Sequence, residues 1–255
     1  MNKITVLLIG CGGTGSWITQ PALQILAKSS IYGLKTSMVL IDADEVEYKN
    51  TLRQAFVETD IGKNKAAALA ERYFPNFQDI EGMELSIIQK FVLDDPERNE
   101  FLERFIDFDI SEEFTSPESL CIVISVIDNN KTRKAIHSIF KKCENPHVIL
   151  DAGNEDVYGQ VTLSSYYPHY AERFKNYWEI HPEMEEFNDG VKAGPSCAEH
   201  DEEAANAGVV QTMSANTVSA NIVTSYLEKL VRFDFFVENE TKFTFSEKTY
   251  NLSYY

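Results

Sequence analysis

The sequence predicts an α/β fold with a mostly parallel sheet, flanking helices, a glycine-rich loop after the first strand and antiparallel strands toward the C-terminus. Three observations carry this. The apolar run Ile4-Thr5-Val6-Leu7-Leu8-Ile9 breaks into Gly10-Cys11-Gly12-Gly13-Thr14-Gly15-Ser16 and resumes with helical spacing, the strand, loop and helix start of a phosphate-binding βαβ unit. Apolar runs at 37–41, 120–127 and 147–151 then alternate with helical segments, as parallel strands joined by right-handed crossovers do. Residues 233–255 alternate aromatic and polar side chains, as an edge hairpin does.

In order along the chain, the glycines come first. A missing Cβ lets phosphate oxygens approach backbone N–H groups, and Thr14 or Ser16 is positioned to add a hydroxyl donor. The spacing of Ile18, Ala22, Ile25 and Leu26 predicts a helix over 17–27, which Pro21 should kink or delay. The strand at 37–41 ends on Asp42, where such folds hold a ribose hydroxyl. Turn chemistry at Asp60 and Gly62 precedes a helix from Lys63 to Tyr73. A strand near 84–88, a helix near 97–104 and a surface loop fill the stretch to 119. The run Leu120-Cys121-Ile122-Val123-Ile124-Ser125-Val126-Ile127 reads as a fully buried strand, followed by a helix over 131–142 and strands at 147–151 and 160–163. Residues 170–206 read as partly helical and then as a mobile loop, and 207–231 as a helix packed tightly on the sheet.

Composition bounds the function. The chain has 255 residues, 44% of them hydrophobic, enough for one large domain. No run reaches the roughly 18 apolar residues of a membrane span, and no basic-then-apolar leader opens the chain, so a cytoplasmic protein is expected, with no membrane partner. A net charge of −17 argues against nonspecific nucleic-acid binding, which needs Lys and Arg to displace counterions. Cys11, Cys121, Cys143 and Cys197 are scattered, with no Cys-x-x-Cys pair, so neither a disulfide framework nor a structural zinc site is expected.

Three further stretches carry chemistry. Asp42-Ala43-Asp44-Glu45-Val46-Glu47-Tyr48-Lys49-Asn50-Thr51-Leu52-Arg53-Gln54 has no apolar periodicity, and its Arg53 offers a planar fork to a triphosphate oxygen. Gly62-Lys63-Asn64-Lys65 places two lysines at a helix start, against the helix dipole, a conflict that a bound anion would relieve. Asp128-Asn129-Asn130-Lys131-Thr132-Arg133 follows the buried strand, so Asp128 falls beside the glycine loop. A carboxylate there suits Mg²⁺, while Asp128 or Asn129 could equally cap the next helix.

In this order and combination the four stretches resemble the ThiF, MoeB and HesA superfamily of adenylating enzymes that activate ubiquitin-like proteins. The likeness covers roughly residues 1–232, through the pattern Gly-x-Gly-Gly-x-Gly, Asp-x-Asp-x-Val-Glu-x-x-Asn-x-x-Arg-Gln, Gly-x-x-Lys and Asp-Asn-x-x-x-Arg. Asp151-Ala152-Gly153-Asn154 with Gly159-Gln160-Val161, and Gly194-Pro195-Ser196-Cys197, look most like the ThiF family of PRTRC gene clusters. The resemblance implies a Rossmann-like single adenylation domain over 1–255 with a crossover loop at about 188–206. It implies a nucleotide site of Gly10, Gly12, Gly13, Gly15, Asp42, Asp44, Asn50, Arg53, Gln54, Lys65, Asp128 and Asn129. Within that site it puts Asp42 on the ATP ribose, Asn50, Arg53 and Lys65 on the phosphates, and Asp128 on Mg²⁺.

The same resemblance implies a small ubiquitin-like partner ending in Gly-Gly, a homodimer, and a second step onto Cys197, whose acidic neighbours Glu199, Asp201, Glu202 and Glu203 would blunt the thiol. Three departures stand beside it. There are no paired Cys-x-x-Cys motifs, no N-terminal arm precedes the first strand, and residues 201–206 read as an insertion. Two rival readings remain on sequence alone. One is a nicotinamide-dependent oxidoreductase, which would leave Arg53-Gln54 and Asp128-Asn129 idle; the other is a silent adaptor for a ubiquitin-like protein.

Overall fold

The computed structural model describes residues 3–93, 97, 99–105, 119–154, 158–170, 173–186, 213–232, 238–245 and 250–255. Eight strands form one sheet in the order β3-β2-β1-β4-β5-β6-β7-β8. β1 (Lys3–Ile9), β2 (Lys35–Ile41), β3 (Met83–Ile88), β4 (Ser119–Ser125) and β5 (His147–Asn154) run parallel. β6 (Tyr158–Ser164), β7 (Glu240–Phe245) and β8 (Tyr250–Tyr254) continue the sheet antiparallel. The fold is therefore the α/β class that the sequence predicts.

The central strands read as unbroken apolar runs because both their faces are covered. β1 sends Ile4, Val6 and Leu8 to one core and Leu7 and Ile9 to the other. The first core lies under α1 (Gly13–Ile31), α3 (Lys65–Tyr73) and a long C-terminal helix, α7 (Met213–Val231). The second lies under α4 (Asn130–Phe140) and a 3₁₀ segment, Glu100–Phe105, which replaces the α-helix predicted near 97–104. Three four-residue helices complete the set among the described residues: α2 (Tyr48–Thr51), α5 (Tyr177–Ile180) and α6 (Glu183–Glu186).

Two expectations are corrected. Pro21 does not delay the first helix, which starts at Gly13 and continues through Pro21 to Ile31. An interior proline costs a helix about 3 kcal/mol, and burial of Ile18, Leu23 and Leu26, each worth about 1.5–3 kcal/mol, offsets it. The third helix begins at Lys65 rather than Lys63, because the Asn64 side chain accepts from the Ala67 N–H and caps it there. Most of the segment read as a mobile loop, 187–206, lies outside the described residues. None of the described helices is long and apolar enough to cross a membrane.

The connections leave β1 toward β2 on one side and reach β4 on the other, so the sheet order reverses between β1 and β4. In an open parallel sheet that reversal opens a crevice at the carboxyl ends of the strands. Gly10, Asp42, Asp128 and the end of β5 all fall at that edge.

Candidate functional site

The glycine loop follows from the way β1 abuts β4. Val126 N–H donates to the Ile9 carbonyl, so the chain leaving β4 presses on the turn. Gly10 sits at φ 93°, and a Cβ there would meet the Val126 carbonyl oxygen at 2.7 Å. At Gly15 a Cβ would stand 1.9 Å from the Gly10 carbonyl oxygen. These two glycines are demanded by the fold itself. Gly12 differs, since a Cβ there would meet nothing within 4 Å. It is the N-cap of α1, no side chain caps the helix, and no acid lies in its first turn. The N-terminus of a 19-residue helix is thus left without a side-chain cap or a compensating acid, the condition that favours an anion.

Thr14 and Ser16 do not project hydroxyls outward as the sequence suggested. Ser16 Oγ donates to the Gly13 carbonyl and accepts from the Ala55 N–H. Thr14 Oγ1 donates to Asn154 Oδ1 at 2.9 Å and lies 3.4 Å from Asn216 Oδ1. Both hydroxyls are engaged with partners within the protein.

On the β2 side stands a polar wall. Asp42 Oδ2 accepts from the Cys11 N–H at 2.7 Å, and Oδ1 from the Asp44 N–H at 2.8 Å. The Asp42 carboxylate is thereby tied to the glycine loop while staying partly open. Burial raises its pKa above the usual carboxylate range, against the pull of Lys65 and the two N–H donors. Lys65 Nζ pairs with Asp44 Oδ2 at 2.9 Å, so a carboxylate of the protein already relieves the lysine at the start of α3. Lys65 is nearly buried while Asp44 is half exposed, which leaves the ammonium at the crevice wall. Lys63 pairs outward with Glu71.

Arg53 is carried to the loop by its own backbone. Its carbonyl accepts from Trp17 Nε1, and two residues later Ala55 N–H donates to Ser16, which pins 53–55 to the opening turns of α1. Asn50 is buried, with Oδ1 accepting from the Glu47 N–H, so only its Nδ2 is left to reach a ligand. Gln54 is buried as well, and its Oε1 has no hydrogen-bond partner.

Asp128 is exposed just beyond the end of β4. Asn129 Oδ1 accepts from the Thr132 N–H and caps α4, which commits that oxygen to the fold. Arg133 braces the turn between them. Its Nη2 donates to the Ile127 carbonyl at 2.8 Å, Nη1 to Asn130 Oδ1 at 2.6 Å, and Nε to Asp151 Oδ1 at 2.7 Å.

Sequence reasoning missed the cluster behind this turn. Asp151 of β5, opposite Ser125 at the end of β4, is buried against Arg133, and His137 is wholly buried, with Nε2 3.8 Å from Asp151 Oδ2 and its ring stacked on Tyr177 at 3.9 Å. Burial alone would raise the Asp151 carboxyl, but Arg133 overrides it and holds the group ionised. Burial keeps His137 neutral. Arg133 stood in the quoted motif, but its partners come from another strand, and no local pattern announces them. Cys197 lies outside the described residues. Cys11, Cys121 and Cys143 are buried free thiols, and burial pushes all three pKa values up.

Comparison with known proteins gives the family and the fold. The ThiF family model matches residues 1–251. No curated protein matches the chain. Among solved structures it is similar to PaaA, at 20% identity and a TM-score of 0.62 over 98% of this chain. It is also similar to E. coli MccB with AMPCPP and MccA, at 16% identity and a TM-score of 0.60 over 98% of this chain. For E. coli MccB with ATP the values are 16% and 0.57, again over 98% of this chain. This chain spans 63% of the length of each of those chains, and at such identities the likeness shows the fold. With a family match that runs from the glycine loop to the last strand, the chain belongs to the ThiF family.

Proposed function

We propose that this protein is an ATP-dependent adenylyltransferase that activates the C-terminal carboxylate of a small partner, a ubiquitin-like protein ending in Gly-Gly. The observation that carries the reading is the convergence, at the ends of β1, β2 and β4, of a helix N-terminus that no side chain caps, the anchored carboxylate of Asp42, the nearly buried Lys65 ammonium and the exposed carboxylate of Asp128, with the Arg53 backbone pinned beside them. A hydride-transfer enzyme has use for the first two and none for the rest. E. coli MccB, solved with ATP and with AMPCPP plus MccA, supports a chain that takes both a nucleotide and a small partner. Residues 1–255 act in this reading as one adenylation domain, and as a homodimer.

In this account Asp42 holds the ribose, and Gly12 and the N–H groups of Gly13 and Gly15 receive the phosphates, with Asn50 Nδ2, Arg53, Gln54 and Lys65 around them. Asp128, a hard oxygen donor at the crevice mouth, fits Mg²⁺, which takes one or two carboxylates plus phosphate oxygens and supplies charge neutralisation there. A substrate carboxylate oxygen bonds to the α-phosphorus, the α–β bridging bond breaks, and pyrophosphate leaves with the electron pair. The nucleophile is already ionised, so no proton has to move, and the chain contributes orientation and fixed charge. The three described cysteines are buried with raised pKa values, which favours Cys197 for a second step, in which its thiolate, the proton having gone to solvent, bonds through sulfur to the acyl carbon while the acyl C–O bond to phosphate breaks and AMP leaves with the electron pair.

ATP–pyrophosphate exchange is the test. The expected result is exchange that depends on a small ubiquitin-like protein with a free Gly-Gly carboxylate and falls about 10²-fold in Asp128→Ala. Exchange undiminished by that substitution overturns the assignment, and tight partner binding with no exchange favours the silent adaptor.

A further inference from the structure

Beyond the nucleotide residues, one polar group at the crevice has no use in the fold. Thr14, Asn154 and Asn216 form a triad where the first turn of α1 meets the end of β5 and α7. Asn216 Oδ1 accepts from Asn154 Nδ2 at 2.9 Å and faces Thr14 Oγ1 at 3.4 Å, while Thr14 donates to Asn154 Oδ1. The Asn216 Nδ2 is left over, buried and without a hydrogen-bond partner, on a residue that is 1% exposed. It lies against the glycine loop, for a Cβ on Gly13 would come within 3.0 Å of it. Leaving a buried donor unmade costs about 1–3 kcal/mol, a cost a ligand oxygen removes.

Its place across the sheet says which oxygen. Asp42, Asp44 and Lys65 gather at the β2 side of the loop, β1 and β4 carry the loop and Asp128, and the triad stands at the β5 side, across the crevice from the ribose acid. Asp42, Asp44 and Lys65 therefore lie on the other side of the glycine loop from it. A neutral amide can orient a carboxylate without the ion pair that would dull it as a nucleophile.

Resting on the adenylation reading, we infer that Asn216, oriented by Thr14 and Asn154, donates from Nδ2 to the substrate carboxylate, on the oxygen that does not bond to phosphorus. Asn216 is then a substrate-binding residue, and Thr14 and Asn154 are positioning residues. The site takes a terminal carboxylate, and the same donor aimed at the α-phosphate is the competing use.

The probes are glycyl-sulfamoyladenosine, in which the glycyl carbonyl stands for that oxygen, and AMP, which lacks the acyl group. Both are titrated by calorimetry into the full chain. The wild type is expected to bind the acyl probe at least 10-fold more tightly than AMP, the worth of one hydrogen bond to a charged or strongly polar group. Asn216→Ala should weaken the acyl probe about 10-fold or more and leave AMP within about twofold. Thr14→Val, which keeps the volume and removes one orienting bond, should weaken the acyl probe less and again spare AMP; it also keeps the test decisive if Asn216→Ala fails to fold. Equal weakening of both probes assigns the donor to phosphate and overturns the inference, as does no change in either. A wild type that binds AMP and the acyl probe equally also overturns it while leaving adenylation standing. A wild type that binds neither overturns the adenylation reading, and this inference with it.

Discussion

Two groups of charged side chains flank the same crevice, and they are built to opposite ends. On the β2 side Asp42, Asp44 and Lys65 are linked yet partly open, with Asp44 half exposed. Behind β4, Arg133, Asp151 and His137 are almost wholly buried, and Arg133 spends all three nitrogens on protein acceptors. The first group keeps its charge available to a ligand. The second uses a buried ion pair to hold the backbone at Ile127, one residue before Asp128. The contrast teaches that an arginine in a binding-site motif can serve the site by bracing a turn rather than by touching the ligand.

The largest expected effect tests the buried group. Asp151→Ala leaves the Arg133 guanidinium buried without its carboxylate and should destabilise the fold by about 3–5 kcal/mol, read as a lower denaturation midpoint. A change under about 1 kcal/mol would remove the contrast. Lys65→Ala should do the reverse. Its partner Asp44 is half exposed, so stability should shift by about 1 kcal/mol or less, while ATP affinity by calorimetry should fall about 10-fold or more.

Acid should separate the two groups as well. His147 donates from Nδ1 to the Asn145 carbonyl, and its Nε2 accepts from the Tyr166 N–H, so a second proton would break that contact. Burial lowers its pKa to about 4 and lowers that of His137 too. A histidine with a depressed folded pKa contributes stability that is fully present above its unfolded value of about 6.5 and is lost as pH falls toward the folded one. Asp151, also depressed, contributes stability present above its unfolded value of about 3.9 and lost below it. Asp42, raised by burial, acts in the opposite sense, and the folded state gains as pH falls through its value. Urea midpoints should therefore fall steadily from about pH 6.5 to pH 4. A flat profile would contradict the buried neutral histidines.

The smallest effect concerns the cap at the wall. Asn64→Ala should cost about 1 kcal/mol by loosening the start of α3, and should weaken ATP modestly, since the Asn64 Nδ2 that it removes also donates to the Asp42 and Asp44 carbonyls.

Much of this was legible in advance. The strands β1, β2, β4 and β5 stand where unbroken apolar runs lie, because strands buried on both faces have no other composition open to them. Asp42 and Asp128 follow from strand ends, which are local features. What the sequence hid is what depends on pairing across the sheet. Thr14 reads as a spare hydroxyl until Asn154 and Asn216 arrive from 140 and 202 residues away. Arg133 reads as one residue of a motif until Asp151 is placed beside it by the register of β4 with β5. Pro21 reads as a helix breaker because packing that offsets its cost is not written in its neighbours.

The central claim is that the glycine loop is the floor of an ATP site rather than a dinucleotide site. Paired calorimetric titrations of ATP with Mg²⁺ and of NADH test it most directly. ATP should bind, with affinity reduced about 10-fold or more in Asp128→Ala, and NADH should not compete. NADH binding more tightly than ATP, unaffected by that substitution, would contradict the account.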